Sequence, residues 1–178
     1  MEMQSRPFGQ MLTSLELNRT TQIDPVKTGR GAFHTIGSCW LNSVVSAFIA
    51  STGLRTAVDP FAGKGDMLNL VGSALSMRKR GYDIDKSAGW EVNDSLVSIP
   101  RRPGSICITN PPFLANYSAR RKSIWPLVGG YYERYGRNDL YEIALDKCLA
   151  SFEYVVAVLP ETFLHSAYPK ERCWLLST

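Results

Sequence analysis

The chain has 178 residues, a length that suits one globular domain with a core of its own. Apolar residues make up 44% and charged residues 20%, a balance that excludes a disordered or low-complexity protein. The formal net charge of +4 is compatible with a polyanionic partner, but it does not by itself indicate one.

The chain begins with a polar, weakly periodic segment, which predicts an N-terminal arm over residues 1–31 and one domain over residues 32–178. Its start has no apolar core typical of a signal peptide, and no apolar run approaches the length of a membrane span. We therefore expect a cytoplasmic protein with no membrane partner. The two histidines are far apart and the cysteines form no CxxC pair, so we expect no metal site.

The first half of the domain changes from helical to strand periodicity and back. Apolar residues on one helical face predict a helix over 38–52, with Ser38 as its N-cap and Gly53 as its stop. A short apolar run predicts a buried strand over 54–60, and a glycine loop follows over 61–65. An amphipathic pattern then predicts a helix over 66–81, capped by Asp66, with a basic cluster in its last turn.

Further strands follow, separated by a long loop and one more helix. Strands are predicted over 82–85, 89–94, 105–110 and 154–160, a loop over 116–139 and a helix over 138–152. Strands that alternate with helices indicate an α/β fold with a mostly parallel sheet and helices on both faces. In such sheets ligands bind outside the carboxyl ends of the strands, and the acidic and amide residues of this sequence fall there.

The glycine loop and three strand-end acids predict a binding site for a cationic nucleoside. Gly63 and Gly65 lie between a strand and a helix, where glycine permits positive φ and close approach of a ligand. Asp83, about 20 residues later, is placed to accept hydrogen bonds from a ribose diol, and Asp94 from an adenine amino group. Asp59 puts a negative charge where a dinucleotide would bring its pyrophosphate. These features favour S-adenosylmethionine, although each acid taken singly is equally consistent with a helix cap or a solvated turn.

The tetrapeptide Asn110-Pro111-Pro112-Phe113 follows the fourth predicted strand. The prolines remove two backbone donors, so the Asn110 amide oxygen and the Pro111 carbonyl can both accept from one NH₂ group. Two such acceptors favour a pyramidal amine whose lone pair points at the methyl group to be transferred. Phe113 offers a face on which a flat base can stack. Seen alone, the motif is more typical of a proline turn with a core phenylalanine.

The pattern resembles the adenine-N6 DNA methyltransferases of restriction–modification systems, a family with a Rossmann-like class I sheet. The matching segments are DPFAGKGD (59–66), GYDID (81–85), ND (93–94) and NPPF (110–113). Residues 138–149 and 156–164 also resemble the family's next helix and strand, and 33–38 is a looser match. The resemblance implies that Asn110, Pro111, Pro112 and Phe113 are catalytic. It implies S-adenosylmethionine as cofactor and DNA as substrate. The implied cofactor-binding residues are Thr35, Asp59, Pro60, Phe61, Ala62, Gly63, Gly65, Asp83, Ile84, Asp94, Ser95 and Asn110.

The sequence departs from this family after the fifth predicted strand. The family's sheet has seven strands, the last two forming a hairpin, and a target-recognition domain follows. Neither can be placed in the remaining residues, so we expect the hairpin to be lacking here. A missing C-terminal region or a second polypeptide would then supply target recognition.

The segment 116–139 mixes cations with aromatic residues next to the catalytic tetrapeptide. Such a mixture suits phosphate contacts and base stacking, which favours nucleic-acid contact by Arg120, Arg121, Lys122 and Trp125. A solvated surface loop with aromatics packed beneath it is the equally weighted alternative. Gly129 and Gly130 indicate a mobile loop, and Arg78-Lys79-Arg80 is predicted to be a charge patch at the end of a helix.

These features together predict methyl transfer from S-adenosylmethionine to N6 of a flipped adenine in DNA. One alternative keeps the chemistry and changes the substrate to an RNA base or a protein glutamine. Another is a truncated or partner subunit that binds the cofactor but is inactive alone. A nucleotide-binding oxidoreductase is a weaker alternative, because Asp59 and the lack of a GxGxxG motif count against it.

Overall fold

The computed structural model describes residues 39–169, which form one five-stranded, wholly parallel sheet. The strands in chain order are β1 (Thr56–Asp59), β2 (Arg78–Asp83), β3 (Glu91–Val92), β4 (Ile106–Thr109) and β5 (Val155–Ala157). Their order across the sheet is β3-β2-β1-β4-β5. The predicted α/β, Rossmann-like fold is therefore confirmed, and the order reverses between β1 and β4, where such sheets open a crevice for ligands.

Within residues 39–169, five α-helices connect or flank the strands. They are α1 (Ser43–Ser51), α2 (Asp66–Leu75), α3 (Asn116–Arg121), α4 (Trp125–Tyr135) and α5 (Leu140–Ser151). Short 3-10 helices span Lys86–Ala88 and Glu161–His165. No helix among residues 39–169 is long and apolar enough to cross a membrane.

Helices cover both faces of the sheet. Successive strand residues point to opposite sides, so neighbouring residues of one strand belong to different cores. On one face Ala57, Ile106 and Ile108 join a core with residues of α1 and α2. On the other face Val58 and Cys107 pack against the buried side chains of α5 and its C-cap. Every residue of β4 is buried, which explains why its sequence reads as a continuous apolar run rather than an alternating one.

The boundary between α2 and β2 was predicted wrongly. The helix ends at Leu75, Ser76 adopts a left-handed conformation with φ 53°, and Arg78-Lys79-Arg80 form the first half of β2. They are not the last turn of a helix. Thr56 and Ala57 of β1 pair with Arg78 and Lys79. Arginine and lysine favour helices, so the pairing with a neighbouring strand overrides the local preference here.

Two further boundaries differ from the prediction. The first helix begins at Ser43 with Asn42 as its N-cap, whose side chain accepts from the Val45 amide at 3.0 Å. The proposed cap Ser38 lies outside the described residues. Gly53 does follow the helix with a positive φ of 69°, as predicted. The cap of α2 is Gly65, so Asp66 is its first residue and interacts with the helix dipole instead.

The predicted loop over 116–139 is also wrong, because it contains α3 and α4. These helices pack through Ala119 and Tyr132 onto Leu140 and Ile143 of α5. No strand follows β5 within residues 39–169, so the described sheet lacks the hairpin, as expected.

Candidate functional site

The carboxyl ends of β1, β2 and β4 bring most of the predicted site residues to one edge of the sheet. Asp59 is the last residue of β1, Asp83 is the last of β2, and Asn110 directly follows β4. Because β1 and β4 flank the point where strand order reverses, this edge is where a ligand of such a sheet binds. Thr35 lies outside the described residues.

Asp59 lies beneath this edge and is almost wholly buried. Its Oδ1 accepts from the Thr109 hydroxyl at 2.6 Å, across the β1–β4 pair, and from the Phe61 amide at 2.9 Å. Burial raises the pKa of Asp59 to about 7, the two hydrogen bonds oppose that rise, and Asp83 adds to it by repulsion. A cation bound nearby would favour the ionised form of this carboxyl.

The glycine loop is held in a fixed conformation by side chains from β2 and from the segment before β3. Gly63 and Gly65 have φ of 52° and 81°, a region that glycine adopts without strain. The Gly63 amide donates to Asp83 Oδ2 at 2.8 Å, and its carbonyl accepts from the Trp90 indole at 3.0 Å. A Cβ at Gly65 would come within 2.5 Å of the Trp90 ring, so glycine is required there by the chain's own packing.

Trp90, which directly precedes β3 and contacts the glycine loop, was not predicted from the sequence. Its ring also lies against Gly81, where a Cβ would clash with it. Gly65 caps α2 and Gly81 lies in β2, 16 positions later, so their spacing in the sequence does not indicate a shared neighbour. Only the fold shows that one aromatic ring requires both of them. Pro60 and Ala62 are buried and Phe61 is half-buried, and direct contact of these three residues with a cofactor stays a prediction.

Asp83 links β2 to the glycine loop and keeps capacity for a ligand. Its Oδ2 accepts from Gly63 and its Oδ1 from the Asp85 amide at 2.8 Å. Each carboxylate oxygen has two lone-pair sites, so one on each oxygen can still receive a hydroxyl. The side chain of the next residue, Ile84, is 65% exposed, which is unusual for isoleucine. It offers an apolar surface that a flat ring would cover.

Asp94 lies two residues beyond β3 rather than at its end. Its Oδ1 accepts from the Leu96 amide at 3.2 Å, and its Oδ2 accepts from the Tyr131 hydroxyl of α4 at 2.7 Å. Ser95 is buried, and its hydroxyl accepts from the side-chain NH₂ group of Asn93 at 2.8 Å, which stabilises the turn. A direct contact between Ser95 and a cofactor stays a prediction.

The tetrapeptide 110–113 leaves β4 and is fixed at its far end by α4 and α5. Pro111 is fully buried, Asn110 is half-buried, and Phe113 packs edge to face with Tyr141 at 6.1 Å. The next residue, Leu114, donates its amide to Asp139 Oδ1 at 2.9 Å. Base stacking on Phe113 stays a prediction.

Leu114 is held through its carbonyl as well, which accepts from the Tyr132 hydroxyl at 2.6 Å and from the Leu140 amide at 3.2 Å. Asp139 is also the N-cap of α5 and forms a capping box with Glu142. The start of α5 therefore positions the tetrapeptide, a role that the sequence did not reveal because Asp139 is distant from it in the chain.

The predicted nucleic-acid residues lie on α3 and at the start of α4. Arg120, Arg121 and Lys122 are all exposed at the end of α3. Trp125 is placed differently: the Arg120 guanidinium lies 3.5 Å from its ring centroid, and Tyr132 stacks on it at 5.5 Å with an interplanar angle of 8°. A base could stack on Trp125 only after Arg120 had left the ring, so contact by Trp125 stays a prediction.

Within residues 39–169, no group of three or more histidine, cysteine, aspartate or glutamate residues is arranged to hold a metal ion. The chain matches no protein-family model, and no curated protein matches its sequence. The function must therefore be argued from the residues at this edge of the sheet.

Proposed function

We propose that this chain binds S-adenosylmethionine and transfers its methyl group to the N6 amine of an adenine in DNA. One observation carries the proposal: the glycine loop, Asp83 and the tetrapeptide 110–113 follow the neighbouring strands β1, β2 and β4 at one edge of the sheet. Each of these features alone is common. Their arrangement around the reversal of strand order is what favours a nucleoside cofactor beside an amine substrate.

The charge of the site supports a cofactor that is cationic and has no phosphate. Burial is the main cause of the raised pKa of Asp59, and Asp83 adds a small contribution by repulsion. Two acids at this edge of the sheet disfavour an added phosphate. A sulfonium or ammonium group would be attracted. The two remaining acceptor sites of Asp83 suit a ribose diol, and exposed Ile84 suits the face of an adenine ring.

The tetrapeptide supports transfer to an exocyclic amine. We assign the Asn110 side-chain oxygen and the Pro111 carbonyl as acceptors for the two amine protons of the substrate. The bound cofactor would supply its methyl carbon to the amine lone pair; the electrons of the broken carbon–sulfur bond would remain on sulfur, and one amine proton would leave to solvent. No strong base is needed, and orientation by a loop fixed through Leu114 contributes to the rate.

The first test is calorimetric titration of S-adenosylhomocysteine, the demethylated product, into the purified chain. We expect binding to the native chain and about 30- to 100-fold weaker binding to Asp83→Ala, since hydrogen bonds to a charged group are lost. Glu153→Ala, which removes an exposed acid before β5 at the opposite edge of the sheet, is the control and leaves the affinity unchanged. A folded native chain that binds neither the product nor S-adenosylmethionine contradicts the proposal.

The second test identifies the substrate. Radiolabelled methyl transfer is measured to duplex DNA, to RNA and to a glutamine-containing peptide, and we expect label in adenine of the duplex. Label only in RNA or in the peptide would favour the alternative substrates. Cofactor binding with no transfer to any of them would favour a subunit that needs a partner.

A further inference from the structure

Helix α4 contributes one side chain to the candidate cofactor site. Tyr131 is half-buried, and its hydroxyl donates to Asp94 Oδ2 at 2.7 Å. The two residues are 37 positions apart, so this contact arises from the packing of α4 against the turn after β3. Leu96 of that turn belongs to the same apolar cluster as Tyr131 and Tyr132.

The bond fixes the orientation of the Asp94 carboxylate. Oδ1 accepts from the Leu96 amide and Oδ2 accepts from Tyr131, so the group is held at both oxygens and cannot rotate freely. Each oxygen retains a lone-pair site for one more donor. Burial and the neighbouring Asp94 raise the pKa of Tyr131, so the phenol stays protonated and remains a donor throughout the neutral range.

The helix that carries Tyr131 is itself anchored to the catalytic tetrapeptide. The adjacent Tyr132 donates to the Leu114 carbonyl at 2.6 Å, and its ring stacks on Trp125. Two successive tyrosines of α4 therefore contact the acid after β3 and the residue after the tetrapeptide. This gives Tyr131 a defined position relative to both halves of the site.

We propose that Tyr131 is a positioning residue of the cofactor site, whose hydroxyl orients Asp94 so that a remaining acceptor site receives the 6-amino group of the cofactor's adenine. The inference rests on the proposed function, because it requires S-adenosylmethionine or its product to bind at this edge. Tyr131 does not touch the reacting atoms. Its effect is on affinity for the adenine amine.

The test compares two ligands against Tyr131→Phe. Calorimetry with S-adenosylhomocysteine should give about 5- to 10-fold weaker binding to the variant than to the native chain, as for loss of one hydrogen bond. The second ligand is the analogue in which hydrogen replaces the 6-amino group. Its ring has no donor on that edge, so Tyr131→Phe should leave its affinity unchanged.

Tyr135→Phe is the matched control, since Tyr135 lies one helical turn further on and its buried hydroxyl has no hydrogen-bond partner among the described residues. Equal weakening of both ligands by Tyr131→Phe, or no weakening of either, would overturn the role of Tyr131 while leaving cofactor binding intact. Failure of the native chain to bind S-adenosylhomocysteine would overturn the proposed function itself, and this inference with it.

Discussion

At the scale of single residues, Asp59 has the environment with the clearest energetic consequence. A carboxyl that is buried between β1 and β4 loses its hydration, and two hydrogen bonds from Thr109 and Phe61 offset only part of that cost. Because its pKa rises from 3.8 to about 7, the folded chain holds a proton on Asp59 that the unfolded chain has already released between these values.

Stability should therefore fall as pH rises through this window. We expect the free energy of unfolding of the native chain, relative to Asp59→Asn, to decrease by roughly 1 kcal/mol per pH unit between about pH 4 and 7. Asparagine keeps the oxygen that accepts from Thr109 and Phe61 but does not titrate. Urea unfolding of both proteins across this range is the measurement, and parallel pH profiles would show that Asp59 titrates normally.

Asp83 and Trp90 determine the conformation of the glycine loop. The sequence predicted Asp83 as a ribose ligand, and the structure adds a bond to the Gly63 amide that the sequence did not indicate. Trp90 could not be predicted at all, because its contacts with Gly63 and Gly65 depend on how the segment before β3 packs on the first βα turn. Residue type indicates which chemistry is available, but not which side chain occupies the space beside a glycine.

At the scale of elements, the wrong prediction of a loop over 116–139 arises in part from two glycines. Gly129 and Gly130 indicate a mobile loop, yet both lie inside α4. Gly129 is buried, and a Cβ there would lie 2.6 Å from the Trp125 ring, whereas a Cβ at Gly130 would meet nothing. The first glycine therefore permits close packing, and the second has no packing requirement.

Alanine at these two adjacent positions should have opposite effects. Gly129→Ala pushes against a ring held between Arg120 and Tyr132, and we expect it to destabilise the chain by about 1–3 kcal/mol. Gly130→Ala should stabilise it by up to about 1 kcal/mol, since alanine is the better helix former. Urea denaturation measures both, and equal effects of the two substitutions would mean that Trp125 moves away without cost.

The boundary between α2 and β2 illustrates the limit of local preference. Met77 is buried and would suit either a helix face or a strand, and the basic residues after it favour a helix. The first half of β2 instead pairs with β1, while β3 pairs only with Tyr82 and Asp83. The conformation of this segment is set by backbone pairing with β1, a strand that is not adjacent to it in the sequence.

At the scale of the whole molecule, two runs of three consecutive basic residues lie in different parts of the fold. Arg120, Arg121 and Lys122 lie at the end of α3, which follows the tetrapeptide 110–113. Arg78, Lys79 and Arg80 lie in the first half of β2, at the amino end of the strand. Lys79 donates to Asn69, and Arg80 pairs with Glu91 at 3.3 Å, so part of the second group is already engaged within the chain.

The affinity of the candidate site for duplex DNA should therefore depend on Arg120, Arg121 and Lys122 only. Replacing Arg120, Arg121 and Lys122 together by glutamine should weaken binding and reduce the salt slope by up to about 3, since each phosphate contact contributes about 0.9. Replacing Arg78, Lys79 and Arg80 in the same way removes equal charge and should leave the slope nearly unchanged. Fluorescence anisotropy over a range of salt concentrations measures both, and equal losses would indicate a diffuse attraction with no defined surface.

The sequence by itself determined the class of the fold and the positions of Asp59, Asp83 and Asn110 at strand ends. These follow from hydrophobic periodicity and from glycine and proline, which act locally. The tertiary structure alone decided the start of β2, the helical state of α3 and α4, and the contacts of Trp90, Tyr131 and Asp139. The physical reason is that strand pairing and side-chain packing join residues distant in the chain, and their free energies exceed the local preferences that a sequence displays.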